Sequence, residues 1–424
     1  MKQRYDSYKP SGIDWIGDIP THWTLSKIKF IGEIRGRIGF RGYTTADLVS
    51  EGEGALTIGG KHISNNVIDL TDPEYISWDK YYESPEIMVS KGDIVIAQRG
   101  TLKRTAYISK NIGPATINPS LVLLTNIKIN PKYLHSYLCS NATTEFIDYL
   151  NTATAVPMIS QNQIENIRII EPPLAEQEAI AAWLDEKCGE IDAAIAKVDR
   201  EIELIDELKQ SEISRVVTRG LNPDAPLRPS GIDWIGDIPE HWKMCRFKNF
   251  MYLKTTPSVS DIKVGLENLE SGSGKFIESD TEFEGNGVEF CTNNILYGKL
   301  RPYLKKVWLA EFSGNAIGDF FVFSNCPNSN ASYLKYVLLS DGFTKQADGS
   351  TFGAKMPRVS SEFILTLPFY LPPLAEQQAI ADYLDKKCAE IDGLKAKLNR
   401  KRETLTELRQ SIISEVVTGK RKVI

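Results

Sequence analysis

Basic side chains on glycine-bearing stretches are the residues whose chemistry is legible first. IRGRIGFRG carries Arg35, Arg37 and Arg41, and QRGTLKR carries Arg99, Lys103 and Arg104. Farther along, GKLRPYLKK holds Lys299, Arg301, Lys305 and Lys306, and GAKMPR holds Lys355 and Arg358. Arginine on such a loop can reach phosphate oxygens or fork onto guanine edges in a major groove. Ordinary surface charge is the competing reading, because the segments around these clusters hardly carry more basic than acidic residues.

Catalytic constellations are missing. SGSGKF (271–276) lacks the spacing and the hydroxyl residue of a phosphate-binding loop, and no G-x-S-x-G elbow occurs. Asn118-Pro119-Ser120 begins like an amino-methyltransferase motif but lacks its second proline and aromatic, so it reads as a turn. His22 and His241 have no second ligand at metal spacing and read as structural or interface residues. Carboxylate pairs fall on solvated helix faces. The expectation is no catalytic residue, no metal and no cofactor on this chain.

What must position the basic clusters is a duplicated framework. PSGIDWIGDIPTHW (10–23) returns as PSGIDWIGDIPEHW (229–242), with only Thr21 changed to Glu240. PPLAEQEAIA, opening 172–220, returns as PPLAEQQAIA, opening 372–420. The first pair matches at an offset of 219 and the second at 200, so the second half is shorter by 19 residues. Leu184, Cys188, Ile191, Ile195, Val198, Ile202 and Ile205 follow steps of four and three, a heptad seam. Leu384, Cys388, Ile391, Leu398 and Leu405 keep that register, with Lys395 and Arg402 interrupting it. Pro172 and Pro173 suit a helix start, and Gly220 and Pro223 its end. At about 1.5 Å per residue each rod would run roughly 60 Å. Each has one apolar stripe, and the simplest cover for it is the other rod, packed antiparallel.

Between these elements, 24–171 and 243–371 read as mixed α/β. Runs such as GDIVIAQRG (92–100) and DFFVFSN (319–325) look like strands among Gly, Asn and Pro turns. Their weak mutual agreement implies one fold used twice with different surfaces. The expected domains are a head over 1–171, a helical spacer over 172–220, a second head over 221–371 and a second spacer over 372–424. Internal pseudo-twofold symmetry and neighbouring termini follow.

With 424 residues, 42% hydrophobic and 25% charged, the chain suits two or more globular domains. No segment approaches the ~18 apolar residues of a membrane span. Six scattered cysteines without a CxxC pair suggest reduced thiols and a cytoplasmic location. A net charge of −5 argues mildly against a bare nucleic-acid binder, though not against one that works with partner subunits.

The doubled PSGIDWIGDIPxHW, the doubled PPLAEQxAIA and ILYGKLRPYLKKV together resemble the specificity subunit of Type I restriction-modification enzymes, over about residues 10–420. The resemblance implies two α/β target-recognition domains, each reading one half of a split site on double-stranded DNA. It also implies an antiparallel coiled coil that sets the gap between the halves. The implied partners are two methyltransferase subunits, which use S-adenosylmethionine to methylate adenine N6, and an endonuclease/translocase subunit. Trp15, Trp23, Trp234 and Trp242 would then either pack head against rod or contact the partner. Glu176, Gln177, Glu376 and Gln377 would either cap the helix or contact the partner. Rival readings are a stand-alone DNA-binding regulator acting as a pseudo-dimer, a scaffold whose heads bind proteins, and a self-sufficient enzyme. On the implied ruler, inserting four residues into both rods lengthens the unread gap, set by heads about 10 bp apart. Sequencing the methyladenine motif checks this, and an unchanged gap refutes it.

Overall fold

The computed structural model describes residues 3–150, 157–258, 260–353 and 355–423, the side chain of Phe40 excepted. It divides into two compact units, Met1–Lys197 with Lys401–Ile424, and Val198–Arg400. Each unit contains one head and parts of both rods.

In the first unit the repeated phrase folds as a ribbon, Tyr8–Pro10 against Asp18–Pro20. The turn between them is closed by Ser11 N–H donating to the Gly17 carbonyl at 3.1 Å, with Gly12 and Gly17 at φ +68° and +72°. Those left-handed positions favour glycine, which explains two of the repeated letters. The next strand, Thr24–Lys27, pairs antiparallel with Arg168–Glu171, in the register Thr24 opposite Glu171. That register sets Trp23 beside the Pro172–Pro173 entry to the rod.

The head itself is built on an antiparallel sheet ordered Thr105–Tyr107, Ile94–Ala97, Leu121–Thr125, Glu33–Gly36. Alternate side chains of the central strands face opposite ways. Ile94, Ile96, Val122 and Leu124 enter a core shared with the helix Pro131–Leu138 and the rods, while Val95, Ala97, Leu121 and Leu123 enter an outer core. Because both faces are covered, GDIVIAQRG reads as a continuous apolar run. An outer sheet contains Ala115–Ile117 parallel to Gly54–Ile58, which pairs onward with Tyr75–Ser77.

The second unit repeats this plan. Its ribbon is Leu227–Pro229 against Asp237–Pro239, and Lys243–Arg246 pairs with Pro368–Leu371. Its main sheet runs Val307–Leu309, Ile295–Gly298, Phe320–Asn325, Met251–Lys254 in the same order. The outer sheets diverge. Here Gly314–Ala316 takes Gly287–Phe290 as a full antiparallel neighbour, where the first unit has one bridge, Met88 to Thr116.

The rods are the helices Leu174–Arg219 and Leu374–Val417. They pack antiparallel within each unit. Ile180 and Leu184, early in the first rod, share a core with Ile413, Val416 and Val417, late in the second. In the second unit, Ile380 and Leu384 meet Ile213, Val216 and Val217. Charge pairs reinforce the seam and repeat at the offset of 200. Asp192 accepts from Arg409 at 2.8 Å, and Asp392 accepts from Lys209 at 2.7 Å. Lys395, expected as an interruption, instead donates to both carboxylate oxygens of Asp206. The chain ends neighbour each other in the first unit, where Lys422 N–H donates to the Gln3 carbonyl at 2.9 Å.

Lys209 is buried, so removing its partner strands an ammonium. Burial opposes ionisation of Asp392, but Lys209 and Lys275 outweigh it and hold the carboxyl below its usual range. We expect Asp392→Ala to cost about 2 kcal/mol at pH 7, whereas Glu186→Ala on the solvent face changes little. A depressed folded value means the contribution is present above roughly pH 4 and fades as pH falls through that value. Urea midpoints at pH 7 and pH 3 measure it, and an equal deficit at both pH values refutes the ion pair's role.

Candidate functional site

Two sets of repeated residues meet at each rod entrance. Glu176, in the first turn of the first rod, accepts from the Trp23 indole N–H at 2.9 Å and the Tyr5 hydroxyl at 3.1 Å, with His22 Nε2 at 2.6 Å. Glu376 accepts from Trp242 at 3.2 Å, with His241 at 2.8 Å. Both Trp23 and Trp242 are fully buried. Burial, then the Glu176 carboxylate, push the Tyr5 phenol well above its usual range, so it stays a donor. The other rod ends against the same tryptophan. Gly419, at φ +73°, has no room for a Cβ beside Pro20 and Trp23, and Gly220, at φ +71°, lies more loosely against Trp242 and Glu376. Gln177 and Gln377 complete the junction. They donate to the Pro172 and Pro372 carbonyls and accept from Asn130 and Asn330 N–H, the N-cap residues of the head helices.

A second recurrent feature lies at the far end of each main sheet. In the first head, Gln98 N–H donates to the Ser120 carbonyl, Ile159 N–H to the Gln98 carbonyl, and Gly100 N–H to the Pro157 carbonyl. In the second head, Lys299 N–H donates to the Asp319 carbonyl, Val359 N–H to Lys299, and Arg301 N–H to Pro357. Bridges Arg99 to Met158 and Leu300 to Arg358 hold the same two segments together. One backbone frame therefore carries Gln98, Ser120 and Met158 in one head, and Lys299, Asp319 and Arg358 in the other.

The comparisons agree with this duplicated plan. Residues 21–203 and 269–401 match the Type I restriction modification DNA specificity domain, well over half of the chain. The chain belongs to that family. It is 23% identical to the type I restriction enzyme MjaVIII specificity subunit of Methanocaldococcus jannaschii, over 80% of this chain and 81% of that one. It is also 23% identical to the EcoDI specificity subunit of Escherichia coli, over 74% and 75% of the two chains. A solved chain from work on complex assembly and conformational transition of the type I R-M system superposes with a TM-score of 0.67. That match has 14% identity over 94% of this chain and 98% of the other, and it shows the fold.

For this specificity-domain chain the basic residues named from sequence divide by their surroundings. Arg37 is buried, donates to the Ile117 carbonyl and Thr116 hydroxyl, and has its guanidinium pulled below its usual range by that burial. Lys305 bonds Asp341 and Gln210, and Lys306 donates to the Leu266 and Leu269 carbonyls. These three are engaged by internal partners, Lys305 in part by the first rod. Arg104 donates to the Gly60 carbonyl. Arg35, Arg41, Lys103, Lys299 and Arg358 are paired with Glu33, Glu86, Asp148, Asp319 and Asp319 respectively. Arg99, Arg301 and Lys355 are exposed. Arg301 adopts φ +51°, where its counterpart Gly100 has φ +77°. The tryptophans also divide: Trp23 and Trp242 are buried in the junctions, Trp234 stacks on Phe369, and Trp15 keeps 38% of its surface.

Asp319 and Met158 were not singled out from sequence, and Ser120 was read only as part of a turn, since only the backbone bonds reveal their equivalence. Among the described residues no cluster could hold a metal ion, and no helix is long and apolar enough to cross a membrane. Glu376→Ala should strand the Trp242 N–H and lower the unit's stability by about 1–3 kcal/mol, while Glu376→Gln, which keeps an acceptor, should lose less. Urea unfolding followed by tryptophan emission measures both, and equal losses refute the hydrogen-bond account.

Proposed function

We propose that this chain reads a bipartite DNA site, one half-site per head, and lacks an active site of its own. Two methyltransferase subunits would dock on its repeated surfaces and supply adenine N6 methylation with S-adenosylmethionine. Restriction would belong to an endonuclease/translocase subunit joining that assembly in the cytoplasm. The observation that carries this reading is the frame found in both heads with unlike side chains, beside rod junctions that are nearly alike. Unlike readers suit unlike half-sequences, and like junctions suit two copies of one partner.

Exposed Arg99, Arg301 and Lys355 are the first candidates for contact with DNA. Guanidinium and ammonium groups meet phosphates at any sequence, and an arginine fork additionally discriminates guanine. Backbone strain at Arg301 supports a role there, because an arginine held in left-handed geometry persists only where its surroundings impose it. Extrusion of the target adenine from the stack is work for the partner.

Co-expression with the methyltransferase subunit tests the reading. A split methyladenine motif that appears only with both chains supports it. Tight site-specific binding by the isolated chain, without methylation in the co-expressing cell, would favour the regulator instead. Arg301→Ala should weaken or relax one half-site alone, by on the order of 1–3 kcal/mol. Equal loss at both halves, or none, contradicts modular reading.

A further inference from the structure

The frame shared by the heads differs in charge. In the second head Asp319 accepts from Arg358 Nη2 at 2.9 Å and Nε at 3.3 Å, with Lys299 Nζ 3.5 Å from the same carboxylate. The first head has Ser120, Met158 and Gln98 at these places, and Gln98 donates to the Pro119 carbonyl at 3.0 Å. Arg358 is pinned on both sides. Its N–H donates to the Phe352 carbonyl at 3.1 Å, its carbonyl accepts from Phe352 at 3.1 Å, and Leu300 bridges it from the other side. Its side chain nevertheless keeps 41% of its surface. Burial opposes ionisation of Asp319, yet Arg358 and Lys299 hold its carboxyl below the usual range, so the clamp is charged at neutral pH.

A guanidinium gripped along its Nε–Nη2 edge cannot swing, and its Nη1–Nη2 edge stays fixed in direction. That second edge carries two parallel donors that can match guanine O6 and N7. A rigid fork loses less rotamer freedom on binding than an unbraced one.

We infer that Arg358 is a guanine-reading residue of the second head, with Asp319 as its positioning residue, and that the neutral frame of the first head imposes no such requirement. This rests on the DNA-reading function proposed above and adds the base class read at one defined place. Met158, at the position of Arg358, offers a thioether suited to an apolar edge such as the thymine methyl.

The test is methyladenine sequencing of cells carrying the full chain and its methyltransferase subunit. For Arg358→Met, one guanine in one half of the motif should become degenerate, with discrimination falling about tenfold or more, while the other half is unchanged. Asp319→Asn should relax the same base more mildly, an effect that a purely structural ion pair would not confine to one base. If Arg358→Met abolishes all methylation, Arg358→Lys supplies the readout, because it keeps the charge and removes the fork. It should relax the same guanine. An unaltered motif in Arg358→Lys, or in both Arg358→Met and Asp319→Asn, overturns the inference while leaving the split-site reading intact. Absence of any split motif with the unaltered chain overturns that reading itself.

Discussion

The hydrogen bond between a buried indole and a rod-entry carboxylate is the interaction on which the rest depends. An uncompensated carboxylate is costly to bury, and so is an unpaired indole N–H. Trp23 with Glu176, and Trp242 with Glu376, satisfy each other. Their meeting requires the strand after the tryptophan to pair with the strand before the two prolines, in the register found. It also requires the opposite rod to end in glycine, since a Cβ at Gly419 would fall 2.2 Å from Pro20. Ribbon, strand pair, rod start and rod end are thus constrained together, twice. This explains why the repeated letters are those of the ribbon and rods rather than those of the heads.

Variation is confined by the same logic. The main sheet of each head is covered on both faces, so its order is kept while its apolar residues exchange: Val95 for Leu296, Ile96 for Tyr297. The outer sheet bears no part of the junction and has changed its pairing. The frame at the end of the main sheet combines both conditions. Its backbone bonds tie three segments together and are kept, whereas its side chains, not needed for those bonds, are neutral in one head and charged in the other.

Much of this was legible in the sequence. Duplicate phrases and heptad steps gave the rods and their antiparallel seam, because apolar periodicity follows directly from helix geometry. The GDIVIAQRG run announced a strand. The role of the glutamates stayed open between cap and contact, since their tryptophan partners lie about 130–150 residues away and no local pattern records the pairing. Basic clusters were visible, but their division was not: Arg37 and Lys306 look like Arg99 in a string of letters, and only burial of the one and the carbonyl partners of the other separate them. Lys395 looked like a break in the seam because Asp206, which receives it, is 189 positions earlier.

That division also reconciles an acidic chain with an anionic ligand. At physiological salt a surface charge is felt over only ~8 Å, so the balance that matters is local to the contacting loops. The rods carry many of the charges, and there the acidic groups are partly answered by basic groups of the facing helix, as with Asp192, Asp206 and Asp392. Lys305, Lys306 and Arg37 are neutralised or solvated inside the heads. Among the basic residues named from sequence, Arg99 on one frame and Arg301 and Lys355 on the other stay exposed. Few phosphate contacts would give weak sequence-independent affinity, so under the proposed function most of the grip on DNA would come from the partner subunits.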